Sequence, residues 1–111
     1  MNLQIEAIGA VKVIRVKESK LVYPILGEFF AKVSELVEAG DRLLVIDLSE
    51  VGYLDSASIG CLMDIYRLAT ERGGQLKLAG LQERVETMVS LTGLHNLVEL
   101  FRDEKSAIES F

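Results

Sequence analysis

A continuous apolar run in the middle of the chain restricts the fold more than any other segment. Leu43-Leu44-Val45-Ile46 contains no polar residue and lies within a predicted strand from Arg42 to Leu48. Such a run is typical of a strand that is covered on both faces, as in parallel sheets with helices packed against them. The sequence therefore predicts an α/β domain with this strand inside its sheet.

The rest of the chain alternates strands with helices after an N-terminal hairpin. The alternating runs Leu3–Ile8 and Val11–Lys17 flank the turn Gly9-Ala10 and predict two antiparallel strands. The later predicted elements are a helix from Pro24 to Ala39, a helix that begins at Ser56 and ends before Gly73, a strand at 75–79, a helix at 82–91, a short strand at 97–101 and a helix at 104–110. The segment from Glu18 to Tyr23 is predicted to be irregular. We expect residues 1–111 to form one domain: a mixed sheet of four or five strands, mostly parallel after the hairpin, with about four helices.

The loop after the central strand ends in the pair Asp55-Ser56, directly before a helix. Aspartate is a favoured N-cap, so Ser56 is expected in the first helical turn with its hydroxyl facing solvent. The unpaired N–H groups of that turn carry the positive end of the helix dipole and favour a negatively charged group. Ser56 is therefore a candidate phosphorylation site, and the sequence alone also allows an ordinary capped helix start.

Composition excludes several classes of function. The net charge is −5 and the basic residues are scattered among acidic ones, which argues against binding to nucleic acid. No apolar run is long enough to span a bilayer, and residues 1–6 do not resemble a signal peptide. Cys61 and His95 are the only cysteine and histidine, so they cannot build a zinc site alone. We predict a cytoplasmic protein without metal, cofactor or membrane insertion.

Three separated segments resemble the STAS family, in particular the bacterial anti-sigma factor antagonists. They are Val45 to Ser49 with the following Asp55-Ser56, the return Gly73-Gly74-Gln75-Leu76, and Leu91-Thr92-Gly93-Leu94. Asp55 and Ser56 match the family's Asp-Ser pair, and Gly60 matches the second glycine of its helix start. The resemblance implies a binding protein rather than an enzyme, whose partner is a serine kinase that is also an anti-sigma factor. It further implies that the unphosphorylated form binds this kinase and releases a sigma factor, and that phosphorylation of Ser56 abolishes binding.

The chain departs from the family pattern beside this serine. Family members often have Ser-Gly or Thr-Gly after the Asp-Ser pair, whereas this chain has Ala57 and Ser58. The loop after the hairpin commonly carries a Gly-x-x-Asp element, and here the segment from Lys17 to Pro24 replaces it. The residues expected to contact the partner are Tyr23, Tyr53, Asp55, Ser56, Ala57 and Ser58. Tyr53 can equally be a half-buried anchor of the loop, and Ser58 can be a helix serine that bonds back to the main chain.

Two other functions are compatible with these residues. One is a STAS subunit that is not phosphorylated and that scaffolds a stress-signalling or transporter assembly. The other is a hydrolase with Ser56, His95 and Asp47 as a triad, which the absence of a Gly-x-Ser-x-Gly elbow disfavours. We therefore predict a non-enzymatic protein that is a monomer or a weak dimer.

Overall fold

The computed structural model describes all residues from 1 to 111. Its elements in chain order are β1 (Leu3–Ile8), β2 (Val11–Val16), β3 (Lys20–Leu21), α1 (Tyr23–Glu38), β4 (Leu43–Asp47), β5 (Tyr53–Leu54), α2 (Ser56–Glu71), β6 (Gln75–Ala79), α3 (Glu83–Leu91), a 3₁₀ turn (Leu94–Asn96), β7 (Glu99–Phe101) and α4 (Glu104–Glu109). None of the helices combines the length and the apolar character that crossing a membrane requires.

Five of the strands form one mixed sheet in the order β1-β2-β4-β6-β7. β1 and β2 pair antiparallel, and every other neighbouring pair in this sheet is parallel. The predicted α/β fold, with an N-terminal hairpin and a mostly parallel remainder, is therefore confirmed. In such a sheet the loops that follow β4 and β6 meet at one edge, which is where α/β proteins commonly place their functional residues.

Helices cover both faces of the sheet, which is why the first four residues of β4 are all apolar. α1, α2 and α3 pack on one face and form the large core around Leu44 and Ile46 of β4. α4 lies on the other face, over a small cluster that includes Val45 and Ala79. The three central side chains of β4, those of Leu44, Val45 and Ile46, are fully buried, so the prediction that this strand is covered on both faces is confirmed.

Two charged residues attach α4 to the sheet, and the hydrophobic pattern does not predict either contact. The Arg15 guanidinium donates two hydrogen bonds to the Glu104 carboxylate, at 2.6 and 2.8 Å. The buried Lys77 ammonium donates to the Ser110 hydroxyl at 2.6 Å and lies 4.3 Å from the centre of the Phe111 ring. The Glu99 carboxylate lies 3.7 Å from this ammonium, so the charge is paired, as burial of a charge requires.

The segment that was predicted to be irregular contains a short strand. β3 pairs in parallel with β5, so that Lys20 lies opposite Tyr53 and Leu21 opposite Leu54. Two-residue strands leave no recognisable periodicity in a sequence, because their order comes from the partner segment rather than from local preference. This pair ties the segment before α1 to the loop before α2.

Two glycines provide a matched test of the packing. A Cβ atom on Gly74 would lie 2.5 Å from the carbonyl oxygen of Arg42, whereas one on Gly60, inside α2, would meet nothing within 4 Å. We expect Gly74→Ala to lower the free energy of unfolding by about 1–3 kcal/mol through this clash. Gly60→Ala should raise it by about 0.5–1 kcal/mol, since alanine is the better helix former. Urea unfolding measures both, and equal effects would contradict this packing.

Candidate functional site

The loop between β4 and β5 is anchored before it reaches Ser56. The side chains of Leu48 and Val51 are fully buried, and the Leu48 amide donates to the Ala79 carbonyl at 3.0 Å. The Gln82 side-chain amide, at the start of α3, donates to the Ser49 carbonyl at 2.9 Å. The loop therefore leads into α2 along a defined path at the carboxyl edge of the sheet.

The β3–β5 pair then brings this loop against the segment that precedes α1. The Gly52 amide donates to the Ser19 carbonyl at 2.8 Å, next to the paired residues of the two short strands. Leu21 and Leu54 are fully buried beneath this pair. As a result, α1 and α2 begin side by side.

Asp55 caps α2 in the way that the sequence predicts, and Ser58 completes the cap. The Asp55 carboxylate accepts a hydrogen bond from the Ser58 amide at 2.8 Å, and the Ser58 hydroxyl accepts one from the Asp55 amide at 2.9 Å. This reciprocal arrangement is a capping box, with serine in the place where glutamate is more usual. The Ser58 hydroxyl also donates to the Asp55 carbonyl at 2.7 Å, so both its donor and an acceptor site are occupied.

The same carboxylate also serves α1, which the sequence does not predict. The second oxygen of Asp55 accepts a hydrogen bond from the Tyr23 amide at 2.9 Å. Tyr23 is the first residue of α1, and the N-cap residue Val22 offers no side-chain hydrogen bond. Asp55 therefore joins the N-termini of two helices. The Tyr23 amide, followed by the Ser58 hydrogen bonds, lowers the pKa of Asp55 although partial desolvation opposes the shift.

Ser56 is exposed at the first position of α2. Around it lie Tyr23 with 74% of its surface exposed, Tyr53 with 42%, and the half-buried Asp55 and Ala57. We call these five residues the Ser56 surface. Ser58 does not share this surface, because it is fully buried inside the capping box. The structure thus corrects its expected place among exposed contact residues, and the back-bonded interpretation of Ser58 is the one observed.

An apolar groove continues the Ser56 surface between α1 and α2. It has a volume of about 610 Å³ and is lined by Tyr23, Pro24, Leu26, Gly27, Phe30, Ala57, Gly60, Cys61 and Asp64. Gly27 and Gly60 are both helical, and added Cβ atoms would meet nothing there, so packing within the domain does not require glycine at either position. Cys61 lies at the base of the groove, where burial, together with the Asp64 charge, raises its pKa to about 11. The thiol is therefore protonated near neutral pH and serves as a small apolar wall.

The residues of the imagined hydrolase triad do not converge. The last turn of α2 lies beside the beginning of β4, because the Gly74 amide donates to the Ala69 carbonyl and the Gln75 amide to the Arg42 carbonyl. Ser56, at the other end of α2, therefore lies at the carboxyl edge of the sheet. His95 is exposed in the 3₁₀ turn that precedes β7, at the opposite edge. Asp47, at the end of β4, accepts a hydrogen bond from the Ser49 amide at 2.8 Å. An arrangement in which His95 activates Ser56 is therefore absent.

The double role of Asp55 predicts a graded loss of stability. Asp55→Asn keeps an oxygen for the Ser58 amide but turns an amide nitrogen toward Tyr23, so we expect a loss of about 1 kcal/mol in the free energy of unfolding. Asp55→Ala removes both caps and should cost about 2 kcal/mol. Urea unfolding at pH 7 measures the two losses, and equal losses would show that the Tyr23 bond contributes nothing.

The same variants predict a pH dependence. Because folding lowers the pKa of Asp55, its contribution is fully present above the unfolded value, about pH 4, and is lost as the pH falls through the lower folded pKa. The stability difference between the wild type and Asp55→Ala should therefore shrink as the pH falls below about 4. A difference that stays constant over this range would contradict the assignment.

Comparisons with known proteins identify the family. The STAS domain family matches residues 2–107. An anti-sigma-B factor antagonist of Bacillus subtilis (strain 168) is 29% identical over 86 residues, which cover 78% of this chain and 75% of that protein.

Two solved structures share the fold. One is an anti-sigma factor antagonist from Mycobacterium paratuberculosis, with a TM-score of 0.89 at 21% identity and coverage of 98% of this chain and 92% of that one. The other is the phosphorylated form of the Bacillus cell fate determinant SpoIIAA, with a TM-score of 0.75 at 19% identity and 98% coverage of both chains. This chain belongs to the STAS domain family, as its sequence predicts.

Proposed function

We propose that this chain is an anti-sigma factor antagonist that is switched by phosphorylation of Ser56. The unphosphorylated form binds a serine-kinase anti-sigma factor through the Ser56 surface, and this binding releases a sigma factor. Phosphorylation by the same kinase ends the interaction. The observation that carries the proposal is an exposed serine hydroxyl at the start of a helix whose cap is fully hydrogen-bonded. The curated relatives named anti-sigma factor antagonists support the general role.

The two serines at the start of α2 differ in their access to a kinase. Ser56 is exposed, whereas Ser58 is fully buried and its hydroxyl is bonded to the main chain of Asp55. Phosphorylation of Ser58 would require the capping box to open, which would release the start of α2. Ser56 needs no such opening, so a kinase meets only one of the two hydroxyl groups.

The domain can carry a phosphate at Ser56 without unfolding. The group adds about two negative charges at neutral pH, and it would lie at the positive end of the α2 dipole. Asp55 beside it is also negative, but its two carboxylate oxygens are directed toward the amides of Ser58 and Tyr23. The modified protein should therefore keep its fold and change only the surface that it offers to a partner.

A docked partner would not tolerate the same charge. The Ser56 surface combines exposed tyrosines with an apolar groove, and such surfaces bind by excluding water. A phosphate buried there without a compensating cation costs several kcal/mol, and each 1.4 kcal/mol weakens binding about tenfold. A penalty of two or three times this 1.4 kcal/mol is enough to change a tight complex into an undetectable one.

The switch is tested by two substitutions of Ser56. Ser56→Ala should bind the serine-kinase anti-sigma factor of the same organism as the wild type does, and it should not be phosphorylated. Ser56→Asp places a negative charge at the same position and should weaken binding at least 100-fold. Isothermal titration calorimetry in the presence of ADP measures both. Equal affinity of the two variants would favour the alternative of a STAS scaffold that is not regulated by phosphorylation.

The partner surface is tested separately through Tyr23. Tyr23 is 74% exposed beside Ser56, while Leu91 is 82% exposed at the far end of α3. We expect Tyr23→Ala to weaken binding to the anti-sigma factor at least tenfold with little change in stability, because its side chain makes few contacts within the domain. Leu91→Ala is the control and should bind normally. If both variants bind alike, the docking surface lies elsewhere.

A further inference from the structure

We propose that β1 is the contact strand of a homodimer in which two copies pair antiparallel about a twofold axis at Ile5. The two sheets of five strands would then form one continuous sheet of ten. This proposal is independent of the phosphorylation switch, since β1 contributes nothing to the Ser56 surface. It rests on the pattern of main-chain hydrogen bonds of β1, on the sequence of this strand and on the groove beside it.

The alternation of hydrogen-bonded pairs between β1 and β2 shows which main-chain groups of β1 are free. The Lys17 amide donates to the Asn2 carbonyl at 2.8 Å, so Asn2 and Lys17 form a hydrogen-bonded pair. In an antiparallel ladder such pairs alternate, which makes Gln4, Glu6 and Ile8 the residues that bond to β2. Leu3, Ile5 and Ala7 therefore direct their N–H and C=O groups away from β2, where no strand covers them.

This edge carries few of the features that normally prevent strands from pairing. β1 is six residues long, and it contains neither proline nor lysine. Its register with β2 runs without a bulge from Leu3 to Ile8. Proteins usually shorten, bend or charge their exposed edges to prevent association. The other edge of the sheet, β7, follows that rule, since it has only three residues.

One register uses every free group and avoids a repulsion between like charges. With the axis at Ile5, Leu3 lies opposite Ala7 of the second copy and Ile5 lies opposite itself, so that the three free residues of each strand all pair. Gln4 then lies opposite Glu6 of the second copy, where an amide can donate to a carboxylate. A shift of the axis to Glu6 would oppose two carboxylates and would leave Leu3 unpaired, so the register at Ile5 is favoured.

The groove beside β1 supplies the apolar part of the interface. Leu3 and Ile5 are half-buried on the α1 side of the sheet and line a cavity of about 380 Å³ together with Met1, Ala31, Glu28, Lys32 and Glu35. The twofold axis brings the same wall of a second copy against it, with α1 of each copy running alongside. The charged groups on its rim are already paired within each chain, Glu28 with the N-terminal amine at 2.8 Å and Glu35 with Lys32 at 3.7 Å. The rim therefore brings no unpaired carboxylate against the second copy.

The proposal is tested by the molecular mass of the purified full chain as its concentration rises. We expect the weight-average mass from sedimentation equilibrium to rise from 12.3 kDa toward twice that value. Ala7→Pro removes an outward N–H that β2 does not use, and edge strands tolerate such a proline. It should weaken association at least tenfold while the circular dichroism melt stays cooperative. A wild type that stays monomeric up to millimolar concentration would overturn the proposal.

A second substitution and a local measurement keep the test decisive if Ala7→Pro fails to fold. Ile5→Lys places two ammonium groups at the axis and should also give a monomer, while Leu97→Lys, at a residue that is 45% exposed and remote from β1, should associate as the wild type does. Amide hydrogen exchange should slow with rising concentration at Leu3, Ile5 and Ala7. Association without slower exchange at these three residues would show that a different surface forms the dimer.

Discussion

The carboxylate of Asp55 holds together the part of the structure on which the proposed function depends. One oxygen accepts from the Ser58 amide at the start of α2 and the other from the Tyr23 amide at the start of α1. Tyr23 and Asp55 are 32 residues apart in the chain, and the bond between them fixes the two helices side by side. The groove between them, and the tyrosine beside Ser56, exist in their present form because of this pair of bonds. The residue that caps the helix of the proposed switch is thus also the residue that joins the two helices of the proposed docking surface.

The sequence predicts the elements whose signals are local. The unbroken apolar run of β4 indicates a strand covered on both faces, and the alternation on either side of Gly9 indicates the hairpin. Asp55 and Ser56 are recognisable as a helix start because capping depends on residues within one turn. The apolar residues of α1 recur at helical spacing, and Phe29, Val33 and Val37 among them are buried. Each of these predictions needed only neighbours in the chain.

The contacts that the sequence does not reveal join segments far apart in the chain. Three examples are the β3–β5 pair, the bond from Tyr23 to Asp55, and the contacts of Lys77 with Ser110 and Phe111. All of them depend on positions that only the folded chain brings together. The groove is hidden for the same reason, although two glycines inside helices, Gly27 and Gly60, were a signal that could have indicated it. Ser58 is next to the candidate site in the sequence but is buried in the structure. Its hydroxyl completes the cap of α2 and is therefore turned toward the main chain.

We propose one task for each side of the molecule, a charge-sensitive surface at the start of α2 and a pairing edge at β1. In the proposed switch, phosphate on Ser56 alone separates this protein from its partner. The most direct measurement incubates the complex with ATP, then localises phosphate within the segment from Leu54 to Arg67 by fragment-ion mass spectrometry and follows the complex by native mass spectrometry. We expect one phosphate, on Ser56, and loss of the complex in step with its appearance. Phosphate on Ser58, or a complex that persists after full modification of Ser56, would contradict it.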